Sequence, residues 1–219
     1  MSYKLAIFDL DGTVLDTLED LYTSCNVALG ATGYPQRTLE EIRAFVGNGI
    51  RKLMERIVPT GTSVAEIDRV HAAFTAHYTE HSADKTAPYA GVLQLLADLR
   101  AAGVKTAVVS NKAHAATVPL CAHYFPSLFD SIAGEREGEG IPKKPAPDGV
   151  FGILRELSVA AADAVYIGDS EVDVATARNA GLDGIFVTWG FRTVAQLREA
   201  GATTIVDTTD EVKALILQK

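Results

Sequence analysis

The stretch LAIFDLDGTVLDT, residues 5–17, determines how the fold is predicted. Residues 4–10 form a nearly continuous apolar run, which is typical of a strand covered on both faces of a parallel sheet. Asp9 interrupts this run, and Asp11 follows two residues later. Because an unpaired carboxylate is costly to remove from water, this pair requires a cation, strong hydrogen-bond donors or access to solvent.

Similar apolar runs recur along the chain. They lie at 105–110, 131–134, 164–169, 184–189 and 203–207, and helical patterns separate them. Two of these helical patterns stop at Gly103 and Gly181, the residue type that commonly ends a helix. Alternating strands and helices predict an α/β fold with a parallel sheet, a Rossmann-like core and right-handed crossovers.

One region does not follow this alternation. Between Asp16 and about Thr86 there is no strand-like run, and helical patterns occur instead at 18–29, 39–45, 50–58 and 64–81. The pattern predicts an all-helical cap domain that is inserted after the first strand. We expect the core to comprise residues 1–14 and 87–219, and the cap domain to comprise residues 15–86.

Composition narrows the classes of function. The chain has 219 residues and a formal net charge of −8, which argues against a general nucleic-acid binder but permits an anionic substrate at a locally positive site. Cys25 and Cys121 lie in apolar helical patterns without metal-ligand spacing, so we expect reduced thiols and a cytoplasmic protein. No apolar run approaches the roughly 20 residues that span a bilayer, so no membrane partner is expected. The oligomeric state stays open.

Polar residues follow several of the predicted strands. Ser110 and Asn111 close the second strand, and Asp169 closes the fourth, with Asp173 one helical turn later. Ligands of open parallel sheets bind beyond the carboxyl ends of the strands, so we expect these groups to meet the Asp9 region at one edge. Acids at the start of a helix also have a simpler explanation, because they cap the helix and favour its dipole.

A cation is needed to balance this many carboxylates. The loop IPKKPAPD, residues 141–148, offers Lys143 and Lys144 between prolines, and the sequence does not decide which lysine contacts a phosphoryl group. Three carboxylates without a softer ligand suit Mg²⁺, a hard ion that prefers oxygen donors.

Four short motifs now show a resemblance to a known family. DLDGT (9–13), VVSN (108–111), KKPAPD (143–148) and GDSEVD (168–173) resemble, in order, the four motifs of the haloacid dehalogenase-like hydrolase superfamily. The helical insertion after the first motif is similar to the layout of its phosphoglycolate phosphatase-like branch. The resemblance covers nearly the whole chain.

The resemblance implies roles for the acidic residues. Asp9 would be the nucleophile that forms an aspartyl-phosphate, and Asp11 would be the general acid and then the general base. Mg²⁺ would be held by Asp9, the backbone carbonyl of Asp11 and Asp169. Asp173 would steady Lys144 or a metal-bound water. The presence of Asp11 favours phosphate chemistry, because dehalogenases of this superfamily lack that second aspartate.

The resemblance also implies contacts with the phosphoryl group. Ser110 and the amide of Asn111 would donate to its oxygens, and Lys144 would neutralise charge. Thr13 is a further candidate for substrate binding, and it resembles the phosphatases slightly more than the sugar phosphomutases. These positioned donors matter because phosphoryl transfer depends mainly on positioning and charge stabilisation.

The cap loop VGNGIRKL, residues 46–53, is the candidate for substrate selection. Gly47 permits unusual backbone angles, Asn48 can donate a hydrogen bond, and Arg51 could bind a carboxylate or a second anion. A plain helix start with a solvated arginine fits the same residues equally well.

The leading hypothesis is a Mg²⁺-dependent phosphatase that acts on a small phosphate monoester such as 2-phosphoglycolate. A sugar phosphomutase similar to β-phosphoglucomutase is a close alternative. A phosphate-sensing module is an alternative from a different class, because it also combines an acidic pocket with a hydroxyl and a lysine. The sequence leaves the natural substrate open.

Overall fold

The structure is a computed structural model that describes residues 2–218. Its described residues form two compact units: one runs to Leu15 and resumes at Pro88, and the other is Asp16–Ala87. We call them the core unit and the helical unit. The assignment of the helical unit as a cap domain stays a prediction.

The strands are, in chain order, β1 (Leu5–Phe8), β2 (Leu15–Asp16), β3 (Ala87–Pro88), β4 (Lys105–Ala113), β5 (Ser131–Glu135), β6 (Ala164–Gly168), β7 (Asp183–Val187) and β8 (Ile205–Val206). Six of them form a sheet in the order β5-β4-β1-β6-β7-β8, and every pairing in it is parallel. β2 and β3 form a separate two-stranded sheet. The predicted α/β class with a parallel, Rossmann-like core is confirmed.

Both faces of the sheet are covered, as the apolar run at β1 predicts. Leu5 and Ile7 pack in one hydrophobic cluster, whereas Ala6 and Phe8 pack in another. The core helices are α5 (Val92–Ala101), α6 (His114–Tyr124), α7 (Asp148–Glu156), α8 (Glu171–Ala180), α9 (Val194–Glu199) and α10 (Thr209–Leu217). Because neighbouring residues of a strand point to opposite faces, each face supplies half of the β1 side chains to a core.

The helical unit contains α1 (Leu18–Thr32), α2 (Leu39–Phe45), α3 (Ile50–Ile57) and α4 (Val64–His81). Side-chain caps begin two of these helices, since Thr38 accepts from the Glu41 N–H and Ser63 accepts from the Glu66 N–H. Its buried side chains include Leu21, Cys25, Leu29, Ile42, Leu53, Met54, Val70 and Phe74. Within residues 2–218, none of the helices combines the length and the apolar character that a membrane span requires.

The sheet order predicts a binding crevice beside β1. From β1 the chain continues to β4 and β5 on one side, and it then crosses to β6, β7 and β8 on the other side. The order therefore reverses between β1 and β6, and ligands of open α/β sheets bind outside the carboxyl ends of strands at such a switch point. Asp9 and Asp169 directly follow these two strands.

Candidate active site

Asp9 and Lys144 form the centre of the site. The Asp9 N–H donates to the carbonyl of Ile167 (2.8 Å), so the backbone at this position still follows the sheet. Oδ1 of Asp9 accepts from the Leu10 N–H (2.7 Å) and lies 2.7 Å from Lys144 Nζ. Among residues 2–218 both contacts to this side chain fall on Oδ1, which leaves the lone pairs of Oδ2 available for a ligand.

Asp173 and Tyr166 complete the surroundings of the Lys144 ammonium group. Lys144 Nζ lies 2.8 Å from Asp173 Oδ1 and 3.1 Å from Tyr166 Oη. Together with Asp9 they supply three acceptors for the three N–H donors of the lysine. Lys144 is only 4% exposed, so its charge is held at a fixed position beside Asp9.

Asp173 is fully occupied by hydrogen bonds. Its Oδ2 accepts from the Asp169 N–H (3.2 Å), the Ser170 N–H (3.1 Å) and the Ser170 hydroxyl (2.6 Å), and its Oδ1 also accepts from Tyr166 (3.0 Å). The bond from Ser170 belongs to a capping box at the start of α8. Asp173 therefore contacts both the start of α8 and the Lys144 ammonium group, and its functional role stays a prediction.

Asp169 lies close to the other two carboxylates. One oxygen from each of Asp9, Asp169 and Asp173 lies within 4.8 Å of the others. Oδ1 of Asp169 accepts from the Thr13 hydroxyl (3.1 Å), and Oδ2 accepts from the Phe191 N–H (2.7 Å). The hydroxyl of Thr13 is thus used on Asp169, and its predicted contact with substrate stays a prediction.

Burial shifts the protonation of this cluster. Burial raises the pKa of Asp9 well above its usual range, and Asp173 raises it further, while Lys144 opposes both effects. Burial and then Asp173 raise the pKa of Asp169 to about 7. Burial alone would lower the pKa of Lys144, but Asp173 and Asp9 raise it well above its usual value. The raised pKa keeps Lys144 protonated. This single positive charge does not offset the cost of burying the ionised carboxylates of Asp9 and Asp169.

Lys112 is a site residue that the sequence analysis missed. Its Nζ lies 3.2 Å from Asp11 Oδ1, and the lysine side chain is 4% exposed. The two residues are 101 positions apart, so only the folded chain brings them together. The available signal was a lysine two residues after the predicted strand 105–110, since a lysine near a buried strand is almost never fully buried unless it is paired.

Tyr166 was missed as well. It lies within the fully buried strand β6, and its hydroxyl contacts Lys144 and Asp173. A buried tyrosine hydroxyl normally has a hydrogen-bond partner. A tyrosine in this apolar run therefore indicated that a polar group lies within reach of the buried strand.

Ser110 and Asn111 lie near the end of β4. The Ser110 hydroxyl accepts from the Lys112 N–H (3.1 Å), which leaves its own hydrogen available to donate. Asn111 Nδ2 donates to the Lys144 carbonyl (3.0 Å), while Asn111 Oδ1 is buried without a partner among residues 2–218. The Asn111 side chain therefore supports the lysine loop. The predicted donation by Ser110 and the Asn111 amide to a phosphoryl group stays a prediction.

Lys143 does not join the cluster. Its Nζ pairs with Glu137 Oε2 at 2.8 Å, on the loop that follows β5. The geometry thus distinguishes the two adjacent lysines, which the sequence could not do.

The residues of the cap loop lie in the helical unit. Gly47 and Gly49 have positive φ values of 128° and 82°, so the loop uses conformations that favour glycine. Arg51 pairs with Asp68 and lies 3.7 Å from Glu55, both within the same unit. The predicted roles of Gly47, Asn48 and Arg51 in substrate binding stay predictions.

The available oxygen atoms fit a small divalent cation. The carboxylates of Asp9 and Asp169 and the backbone carbonyl of Asp11 are hard donors, the type that Mg²⁺ binds in proteins. Counting Asp11 and Asp173, four carboxylates face the two ammonium groups of Lys112 and Lys144. When all four carboxylates are ionised, the excess of two negative charges equals the charge of one divalent cation.

Known proteins resemble this chain over nearly its full length. The sequence profile of the haloacid dehalogenase-like hydrolase family matches residues 6–187. A phosphoglycolate phosphatase from Psychrobacter arcticus is 33% identical over 217 residues, covering 94% of this chain and 93% of the relative. A second one, from Thiobacillus denitrificans, is 32% identical and covers 97% of this chain and 95% of its own length.

The fold gives the same result. A crystal structure from Lactobacillus delbrueckii subsp. bulgaricus, with a provisional assignment as a phosphoglycolate phosphatase, has a TM-score of 0.95 and 40% identity, and each chain is covered completely. A mutant of CbbY from Rhodobacter sphaeroides, in complex with xylulose-(1,5)bisphosphate, has a TM-score of 0.71 and 27% identity, covering 95% of this chain and 96% of that one.

The chain therefore belongs to the haloacid dehalogenase-like hydrolase family. Within that family it is a phosphoric monoester hydrolase of the phosphoglycolate phosphatase-like branch. The predicted superfamily, branch and enzyme class are confirmed.

Proposed function

We propose that the protein is a Mg²⁺-dependent phosphatase that hydrolyses a small phosphate monoester, similar to 2-phosphoglycolate, through an aspartyl-phosphate on Asp9. The observation that carries the proposal is the Lys144 ammonium group, which lies between Asp9 and Asp173 with Asp169 beside them. The names of the relatives support the substrate class.

Asp9 would act first. Its Oδ1 is held by Lys144 and the Leu10 N–H, so Oδ2 is the atom that attacks phosphorus. The bond between phosphorus and the ester oxygen breaks, and Asp11 donates a proton to the departing alkoxide. This step divides one difficult displacement into two easier ones.

The second step would return the enzyme to its starting state. A water attacks the phosphorus of the aspartyl-phosphate, and Asp11 takes the proton that the water loses. The P–O bond to Asp9 breaks, which restores the carboxylate and releases inorganic phosphate. Lys112, 3.2 Å from Asp11 Oδ1, keeps the Asp11 side chain in place during both proton transfers.

Asp9, the backbone carbonyl of Asp11 and Asp169 would hold Mg²⁺. The bound ion supplies positive charge to the phosphoryl oxygens. Ser110 and the Asn111 amide would donate to the same oxygens, so several positioned charges and donors share the stabilisation.

The two free, buried thiols, Cys25 and Cys121, are compatible with the predicted cytoplasmic location.

The test is a panel of metabolite phosphates, ranked by kcat/KM with Mg²⁺ and with EDTA. We expect release of inorganic phosphate that depends on Mg²⁺, with a small carboxylated or hydroxylated monoester among the best substrates. Acid-quenched enzyme should carry a phosphoryl group on Asp9, which peptide mass spectrometry can locate.

The same panel separates the alternatives. Conversion of a sugar 1-phosphate to its isomer, in the presence of a bisphosphate primer and without release of phosphate, would identify a phosphomutase. A stable phosphoryl group on Asp9 with no turnover of any ester would identify a phosphate-sensing module. Ester cleavage at full rate in EDTA would contradict the Mg²⁺ proposal.

A further inference from the structure

The loop TWGFRT, residues 188–193, contacts the carboxylate of Asp169 through the Phe191 N–H. It connects β7 to α9 and belongs to the core unit. We call it the WGF loop. The sequence analysis assigned no role to this loop.

The WGF loop donates to Asp169 directly. The Phe191 N–H lies 2.7 Å from Asp169 Oδ2, and the Thr13 hydroxyl lies 3.1 Å from Oδ1. Each carboxylate oxygen thus receives one donor from a different loop. Two donors on opposite oxygens define the orientation of the carboxylate, while a lone pair of each oxygen stays available for a cation.

The loop also holds the first motif. Trp189 Nε1 donates to the backbone carbonyl of Thr13 at 3.0 Å. The residue that donates to Oδ1 of Asp169 is therefore tied to the loop that donates to Oδ2. Hydrogen bonds thus connect the first motif, the WGF loop and the Asp169 carboxylate to one another.

Two glycines leave the space that Asp169 occupies. A Cβ on Gly190 would lie 2.4 Å from Asp169 Oδ2 and 2.4 Å from the Gly12 carbonyl. A Cβ on Gly12, whose φ is +90°, would lie 2.6 Å from the same Oδ2. Any side chain at either position must displace the carboxylate or the backbone beside it.

Both ends of the loop are fixed. The Thr188 hydroxyl donates to Asp207 (2.6 Å), and Arg192 makes two hydrogen bonds to Glu171 (2.6 and 3.1 Å). Arg192 is only 6% exposed and Phe191 only 7%. These contacts hold the loop to the segments that carry Glu171 and Asp207.

We propose that the WGF loop is a positioning element that sets the geometry of Asp169 for the divalent cation. It acts through Asp169 and touches neither substrate nor cation. The inference rests on the proposed Mg²⁺ site and adds residues 189–191 to the set that determines metal affinity. Groups that orient metal ligands typically change metal affinity by about 10–100-fold when they are altered.

The test compares Gly190→Ala with Gly152→Ala by isothermal titration calorimetry with Mg²⁺. Gly152 lies in α7, where an added Cβ would meet no atom within 4 Å and φ is not positive, so its substitution is a matched control. We expect Gly190→Ala to bind Mg²⁺ at least about 10-fold more weakly, and Gly152→Ala to bind as the wild type does.

Trp189→Phe is the second variant, because it removes the indole N–H and keeps an aromatic ring. We expect weaker Mg²⁺ binding by about 3–10-fold and kcat near the wild-type value at saturating Mg²⁺, a change that loss of packing alone would not confine to the metal. Trp189 is the one tryptophan of the chain, so Mg²⁺ should also alter the intrinsic fluorescence of the wild type and of Gly152→Ala.

The outcomes distinguish a failure of the proposed role of the WGF loop from a failure of the proposed Mg²⁺-dependent function. Wild-type Mg²⁺ affinity in folded Trp189→Phe and Gly190→Ala would overturn the role of the WGF loop and leave the proposed function intact. If Gly190→Ala does not fold, the affinity of Trp189→Phe decides. Absence of Mg²⁺ binding to the wild type would instead overturn the proposed Mg²⁺-dependent function.

Discussion

At the scale of single residues, the position of the Lys144 ammonium group explains how the Asp9 carboxylate can be buried, as its proposed role as nucleophile requires. Asp9 Oδ1, Asp173 Oδ1 and Tyr166 Oη each lie within 3.1 Å of Lys144 Nζ. A charge with all its donors used has little freedom to move, so it is already in place when a phosphoryl group arrives. The neighbouring Lys143 pairs with Glu137 instead, which makes the two lysines a natural pair for comparison.

Lys144→Ala should reduce kcat/KM by at least about 100-fold, because it removes the fixed positive charge beside Asp9. Lys143→Ala is the matched control, and we expect it to stay within about threefold of the wild type because an exposed ion pair contributes little. Steady-state release of phosphate measures both, with circular dichroism as a check of folding. Near-normal activity of folded Lys144→Ala would contradict the assignment.

Asp9→Asn should abolish turnover and leave the fold intact, because the two side chains have nearly the same shape and the amide is not a nucleophile. The amide oxygen can still accept from the Leu10 N–H. Asp163→Asn, at an exposed ion pair with Lys4, is the control and should keep wild-type activity. Single-turnover assays should detect no phosphoryl-enzyme in Asp9→Asn, and formation of that species at the wild-type rate would exclude Asp9 as the nucleophile.

The sequence predicted that polar residues after the strands lie close together, because the topology of a parallel sheet brings strand ends to one edge. Asp9 and Asp169 belong to this group. It could not separate Lys144 from Lys143, since adjacent residues of a loop have no periodicity that tells which one turns inward. Lys112 was missed because its significance depends on Asp11, which lies 101 residues away in the chain.

At the scale of elements, Asp20 connects the first helix of the helical unit, α1, to residues 85–86 at the end of that unit. Asp20 lies in the first turn of α1 and is 3% exposed. Its carboxylate accepts from the N–H groups of Lys85 (3.0 Å) and Thr86 (2.8 Å) and from the Thr86 hydroxyl (2.8 Å). Charge-assisted bonds to backbone donors are among the stronger hydrogen bonds in proteins.

Asp20→Ala should destabilise the helical unit by about 2–3 kcal/mol, because it removes the carboxylate that accepts from the Lys85 N–H, the Thr86 N–H and the Thr86 hydroxyl. Glu19→Ala, one residue earlier and exposed, is the control and should change stability by less than about 0.5 kcal/mol. Hydrogen exchange followed by mass spectrometry can resolve the helical unit from the core unit. Equal protection of residues 16–87 in the two variants would contradict this role for Asp20.

The elements that the sequence predicted are those with a strong local pattern. The apolar run of β1 and the helical patterns of α2 and α4 appear at the expected positions. β4 continues to Ala113, beyond the predicted end at Ser110, and its register against β5 shifts between Val109 and Ala113. β2 and β3 contain two residues each, so they depend on a partner far away in the chain and have no local pattern.

At the scale of the whole molecule, the uncompensated carboxylates link stability to metal and pH. Burial and then Asp173 raise the pKa of Asp169 to about 7, and the pKa of Asp9 moves in the same direction. Without a bound cation, the folded chain should therefore retain protons that the unfolded chain releases at about pH 4. The contribution of these carboxyl groups to the free energy of unfolding is fully present at low pH. It is lost as the pH rises through about 7.

Mg²⁺ should reverse this loss, because the cation takes the place of the protons on Asp9 and Asp169. We expect the difference in Tm between Mg²⁺ and EDTA to be larger at pH 8 than at pH 5.5, reaching on the order of 5–10 °C at 100 times Kd. Taking this difference at each pH removes the contribution of His71, whose pKa burial lowers and whose effect on stability has the opposite sign. Asp169→Asn is the control and should show little Mg²⁺ effect at either pH. An equal Mg²⁺ shift at both pH values would mean that the cation binds without displacing protons from the buried carboxylates.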